Sequence, residues 1–210
     1  MESSLGLNIP VEPQPHDRMF RGASALAGAS VGDYWRWAYS DIVGNTHRGL
    51  LAQFIVAKAL GDRREAVDTW EPYDVVAADG TKVEVKSAAY VQSWSQRKYS
   101  RISFGIARSR AWNPRTGDWE GSDAIRHADV YVFSLLTEKD KTKVDPLDLQ
   151  QWEFYVLSTA VLDSELSKAK TISLERVRTY TSAVGVAQLE NAVGLSKLAR
   201  ATGPPVSGSL

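Results

Sequence analysis

The sequence predicts an α/β domain, a mixed sheet with helices on its faces, and three observations carry that expectation. A helical apolar period runs through Leu50, Leu51, Phe54, Ile55 and Ala59. After Gly61 come two valine-rich runs on either side of Asp79-Gly80, a pair of turn residues. Residues 128–136, ADVYVFSLL, are then nearly all apolar and short, as a strand buried on both faces should be.

Length and composition bound the rest. At 210 residues the chain sustains one well-buried domain with modest additions. Its 25 basic and 25 acidic side chains balance, with a pI near 6.8, so no global field drives binding to nucleic acid or membrane and any basic surface must be local. The absence of cysteine excludes disulfides, thiolate zinc sites and cysteine nucleophiles. No run approaches a membrane span and the N-terminus shows no signal pattern, so a cytoplasmic protein is expected, with no membrane partner.

In chain order, residues 1–29 mix Pro10, Pro13 and Pro15 with Ser, Gly and Ala, and read as a flexible or wrapped arm. Residues 30–200 form the single domain and 201–210 a tail. Ser30 is placed to cap a helix running to Val43, on which Trp35, Trp37 and Tyr39 are core or dimer contacts. Asn45 or Thr46 caps the next helix, which Gly61 ends. Ile102, Phe104 and Ile106 alternate as a third strand, and Trp152 to Ser158 supplies a fifth. Between Arg108 and His127 no helical period is present, only a long irregular segment with a short turn from Ser122 to His127. Ser173 to Tyr180 and Val186 to Ala199 read as short helices.

The chemistry concentrates in the hairpin. A two-residue turn at Asp79-Gly80 would oppose Asp74 to Val85 and bury a lone carboxylate on the apolar face. A three-residue loop, Ala78-Asp79-Gly80 with Gly80 left-handed, instead pairs Val75 with Val83 and Asp74 with Glu84. The second register is favoured, since Val75, Ala77, Val83 and Val85 then share a dry face while Asp74, Glu84 and Lys86 gather on the other. Opposed carboxylates repel unless neutralised. A divalent cation does this, and two carboxylates plus the Val85 carbonyl make a sufficient protein share for Mg²⁺. Lys86 beside it would position a water or stabilise charge on a phosphate. The competing reading is a solvated hairpin face on which charge alternates with valine.

Asp74 followed by Glu84-Val85-Lys86 resembles the signature of the PD-(D/E)XK nuclease superfamily, the restriction-endonuclease-like fold, with Pro72 one residue further from the aspartate than in the family. The resemblance covers roughly residues 45–136. It implies a restriction-endonuclease-like mixed sheet built from a helix, a three-stranded meander and further strands, and a Mg²⁺-dependent endonuclease acting on DNA, with Mn²⁺ able to substitute. Asp74, Glu84, Lys86 and Gln53 would be its catalytic groups, and Asp74, Glu84 and Val85 its metal ligands. Many family members carry a glutamate where Gln53 stands, so the alternative is a weak or inactive nuclease-fold protein that binds nucleic acid or acts in assembly. Cutting two strands would call for a homodimer.

Charge arithmetic places the nucleic-acid contacts. From Lys86 to Arg126 there are eight basic residues against three acidic ones. Arg97, Lys98, Arg101, Arg108, Arg110 and Arg115 are interleaved with Trp94, Trp112 and Trp119, which suits phosphate contact with base stacking and equally an ordinary loop with tryptophans turned inward. Arg48, in the first turn of the helix after Gly44, is the remaining expected phosphate contact, because free N–H groups there favour an anion.

Overall fold

A computed structural model describes residue 9, residues 11–22 and residues 24–198, so the expected tail at 201–210 lies outside the described residues. Ser30 does cap the first helix, α1 (Val31–Tyr39): its hydroxyl accepts from the Asp33 amide and the Asp33 carboxylate accepts from the Ser30 amide, a reciprocal box. The helix stops four residues short of Val43, because the Gly44 amide turns back onto the Asp41 carbonyl. Contrary to expectation, α1 buries none of its residues, and Trp37 is 84 % exposed. The arm wraps onto it through bonds from the Val31 amide to the Arg18 carbonyl and from the Gly32 amide to the His16 carbonyl.

The second helix, α2 (Asn45–Ala59), starts from Gly44 rather than from a side-chain cap, and Gly61 follows it at φ +67°. Its core face is rotated from the expected stripe. Ala52, Ile55 and Val56 are buried, whereas Leu50 and Phe54 face outward. Arg48 takes the remaining inward position, so this helix meets the sheet through three small or branched residues and a guanidinium.

The strands are β1 (Val75–Val76), β2 (Lys82–Ala89), β3 (Ser103–Gly105), β4 (Ser109–Asn113), β5 (Asp118–Ile125), β6 (Val130–Leu136), β7 (Trp152–Ser158) and β8 (Thr171–Ser173). Short helices α3 (Thr159–Glu165), α4 (Leu174–Arg178) and α5 (Leu189–Leu198) complete the chain. The hairpin has the favoured register: Val75 pairs with Val83, Val76 with Lys82, the Ala77 amide donates to the Thr81 carbonyl, and Gly80 sits at φ +84°. Four strands form the main sheet in the order β1-β2-β6-β7, with β2 and β6 parallel and β7 antiparallel to β6. Every residue of β6 is buried, as its composition predicts. One core, against α2 and α5, gathers Val83, Val85, Val130 and Val132; the other gathers Phe104, Tyr131, Phe133 and Leu135.

Two expectations need correction. The third strand does not complete a meander: β3 pairs with β8, and Phe104 lies over the sheet with its ring 5.0 Å from that of Phe133. Alternation reports which side of a strand is dry, and both a sheet edge and a second layer satisfy it. The segment after Arg108 is not irregular either. It is a second hairpin, β4 with β5, broken by a bulge between Ser109 and Ala111 and a left-handed Gly121. Every residue of β5 is exposed, so no alternation marks it. Among the described residues no helix is long and apolar enough to cross a membrane.

Gly80→Ala should destabilise the protein by about 1–2 kcal/mol through the left-handed backbone alone, because a Cβ there meets nothing within 4 Å. Urea unfolding should show a lower midpoint at unchanged slope, with Gly80→Asn closer to wild type.

Candidate active site

The hairpin ladder continues one residue past β1, where the Asp74 amide donates to the Val83 carbonyl at 3.1 Å. Beyond that point the side chain replaces the backbone. Asp74 Oδ2 accepts from the Val85 amide at 2.7 Å and Oδ1 accepts from Gln53 Nε2 at 2.9 Å. Gln53 thus reaches the site from the middle of α2. A strand residue points its N–H and C=O the same way, so the Val85 carbonyl also faces the edge that β1 has vacated. Glu84 and Lys86, two apart on β2, share a face, and the Lys86 ammonium donates to Glu84 Oε1.

Burial, then the Glu84 carboxylate, pushes the Asp74 pKa up to about 6, against the Val85 amide and the Lys86 and Arg64 cations that favour its ionised form. Tyr131, register partner of Glu84 on β6, has its phenol pushed up by burial and by the same carboxylate. Sequence reasoning did not find Tyr131, because inside an all-apolar run it reads as core.

A second group missed from sequence holds β1 in place. Asp62 accepts from the Val76 amide at 3.0 Å and from Arg64 at 2.6 Å; Arg64 also donates to the Asp74 carbonyl at 2.8 Å and to Glu71. These residues follow Gly61 with no periodicity to mark them. Among the described residues, no group of three or more His, Cys, Asp or Glu side chains is arranged to hold a metal ion. An open cleft of about 450 Å³ adjoins Gln53 and Asp74, walled by Tyr39, Leu50, Phe54 and Val67, which gives the outward side chains of α2 a place beside the site.

The expected phosphate contacts divide. Arg48 is corrected: it is 3 % exposed and donates to the Val43 carbonyl, Asn45 Oδ1, Gln92 Oε1 and Ser87 Oγ, so its guanidinium joins α2 to β2 from inside. Arg108 pairs with Asp163 at 2.8 Å, and Arg110 lies 5.5 Å from the Trp119 ring centre. Arg115 is exposed at the tip of the β4–β5 hairpin, across a cleft of about 330 Å³ from Trp70, Glu71 and Pro72. Trp112 and Trp119 pack edge to face across that hairpin at 5.3 Å, Trp119 remaining 54 % exposed. Arg97, Lys98 and Arg101 are exposed on the segment between β2 and β3.

Comparison with curated proteins finds no match. Comparison with protein families matches residues 36–176, which span α2, the hairpin and the whole main sheet and end within α4, to the family described as bacteriophage T4 endonuclease IV. Since that match takes in more than half of the chain and every residue of the carboxylate site, the chain belongs to the bacteriophage T4 endonuclease IV family.

Proposed function

We propose that the protein is a Mg²⁺-dependent endonuclease of the PD-(D/E)XK type that hydrolyses phosphodiester bonds in DNA. The observation that carries this reading is that Asp74, bonded to the Val85 amide, lies within electrostatic reach of the Glu84–Lys86 ion pair in a chain of an endonuclease family. Asp74, Glu84 and the Val85 carbonyl form an all-oxygen donor set suited to a hard cation that keeps several waters, with Mn²⁺ as a substitute. A bound ion would supply Lewis-acid stabilisation of charge on the phosphate.

The chain's own groups do the rest. The Val85 amide and Gln53 fix the rotamer of Asp74, so that its carboxylate is preorganised. Lys86 presents an ammonium beside Glu84, where it orients the attacking water or meets negative charge as it develops on the phosphate. Arg110 and Arg115 on the β4–β5 hairpin provide cations for the strand entering the site. The partner is therefore nucleic acid, with DNA the proposed polymer.

One observation favours a second reading, a slow or silent nuclease that keeps the fold as a binding module: Gln53, at 2.9 Å from Asp74, adds no negative charge. Gln53→Glu separates the two. It should tighten Mg²⁺ binding, since affinity for hard cations rises with ligand charge, while lowering the melting temperature of the ion-free protein. If the substitution leaves both melts unchanged, Gln53 has no part in the site.

Cleavage of DNA with Mg²⁺ or Mn²⁺ should fall by two orders of magnitude or more in Lys86→Ala and Asp74→Asn, which remain folded. Cutting retained in both would overturn the assignment. The raised pKa of Asp74 also fixes a sign. Ionising it costs stability progressively as pH rises from near 3.8, its unfolded value, to about 6, its folded value. Asp74→Asn should therefore melt above wild type at pH 8 without metal, and the gap should close toward pH 4. Adding Mg²⁺ should raise wild type and leave the variant in place.

A further inference from the structure

A second basic site lies at the far end of β2. Because β2 and β6 are parallel, the loops that leave their carboxyl ends emerge side by side, one from Tyr90 and the other from Thr137. Between them is an open groove of about 420 Å³ lined by Arg97, Lys98, Tyr99, Lys139 and Lys141 with uncharged Val91 and Gln96. Four cations face it, and among the described residues none of the four forms an ion pair.

Their arrangement is built rather than incidental. The Lys139 ammonium stands 4.6 Å from the Tyr90 ring centre and 5.8 Å from that of Tyr99, whose rings meet edge to face at 6.5 Å. Aromatic faces hold a cation without neutralising it, so its charge stays available to an anion. Lys141 donates to the Trp94 carbonyl, tying the two loops together and leaving its other donors free. Gln96 braces the first loop, accepting from the Gln92 amide at 2.6 Å and donating to Ser100 Oγ at 3.1 Å. The carboxylates next in sequence turn away: Glu138 accepts from the Lys139 and Asp140 amides, and Asp140 from the Thr142 amide and hydroxyl.

We propose that this groove binds the phosphate backbone of the nucleic-acid substrate at a distance from the cut, with Lys139 and Lys141 as contacts alongside Arg97 and Lys98. The proposal rests on the nuclease reading for its substrate. Alternation places Tyr90 on the same face of β2 as Glu84 and Lys86, about 13 Å beyond Lys86 at ~3.3 Å per residue. At ~3.4 Å per stacked nucleotide the groove lies roughly four nucleotides from the reacting phosphate, so it sets which stretch of strand is gripped while cutting proceeds.

The test is binding of a labelled 20-nucleotide DNA, alone and annealed to its complement, without divalent metal and over a salt series. Lys139→Glu with Lys141→Glu should bind roughly tenfold more weakly at 0.1 M salt and lower the slope of log K against log salt by about 1.4–1.8, two contacts' worth. With metal, kcat should be unchanged and KM raised. Reversal of the exposed Lys168 and Lys170 is the control and should change neither. Lys139→Gln with Lys141→Gln, a milder pair, repeats the measurement if the reversal lowers the melting temperature. A slope equal to wild type overturns the groove, as does competition by millimolar inorganic phosphate with no effect of the variants on DNA, which would mark a small-anion site. Should wild type cut nothing while the slope still falls, the nuclease reading fails and the groove stands as a binding surface.

Discussion

The site depends on one hydrogen bond, from the Val85 amide to the Asp74 carboxylate. Where β1 ends, β2 is left with an unpaired amide at the edge of the main sheet, and a buried amide without a partner costs on the order of 1–3 kcal/mol. Asp74 supplies that partner with its side chain. The same bond that completes the ladder therefore orients the carboxylate. Asp62 performs the matching service one strand out, closing the Val76 amide, with Arg64 bridging from it to the Asp74 carbonyl. Edge closure and site construction are one piece of chemistry.

How far this was legible in the sequence follows from which physical signal each part leaves. The hairpin register could be read because Gly80 offers a left-handed loop and the valines separate a dry face from a charged one. Those two constraints alone set Val75 opposite Val83 and so bring Asp74 alongside the stretch of β2 that carries Glu84. The buried strand β6 and the antiparallel β7 were equally plain from apolar runs of strand length. Ser30 announced its helix through an acceptor three residues before Asp33.

The parts that stayed hidden depend on long-range pairing or on polar groups in the interior. Nothing in Ser103–Gly105 distinguishes joining β2 from pairing with Thr171–Ser173, nearly seventy residues on. Arg48 looks like a surface cation until Ser87, Gln92, Asn45 and the Val43 carbonyl are brought to it, since only a complete set of acceptors makes a buried guanidinium tolerable. Its burial displaces Leu50 and Phe54 outward, where they wall the cleft beside Asp74 instead of filling the core. The same logic hides Arg126, whose guanidinium is fully enclosed by the Ile106, Leu162, Leu166 and Ala169 carbonyls and Asp163.

The parallel pairing of β2 with β6 carries a consequence for how the molecule assembles. β1 and β2 are joined by a three-residue loop, and closing so short a loop loses little chain entropy. Register between Glu84 and Tyr131 instead closes a loop of more than forty residues that includes the whole β4–β5 hairpin. Non-local parallel contacts of this kind are the slow events of folding. Glu84 and Lys86 lie just past the last β1 pair, Val75 with Val83, and take their register from Tyr131 and Phe133 of β6. Nascent chain can bring the carboxylates together locally, but the strand that carries them becomes rigid only when its distant neighbour arrives.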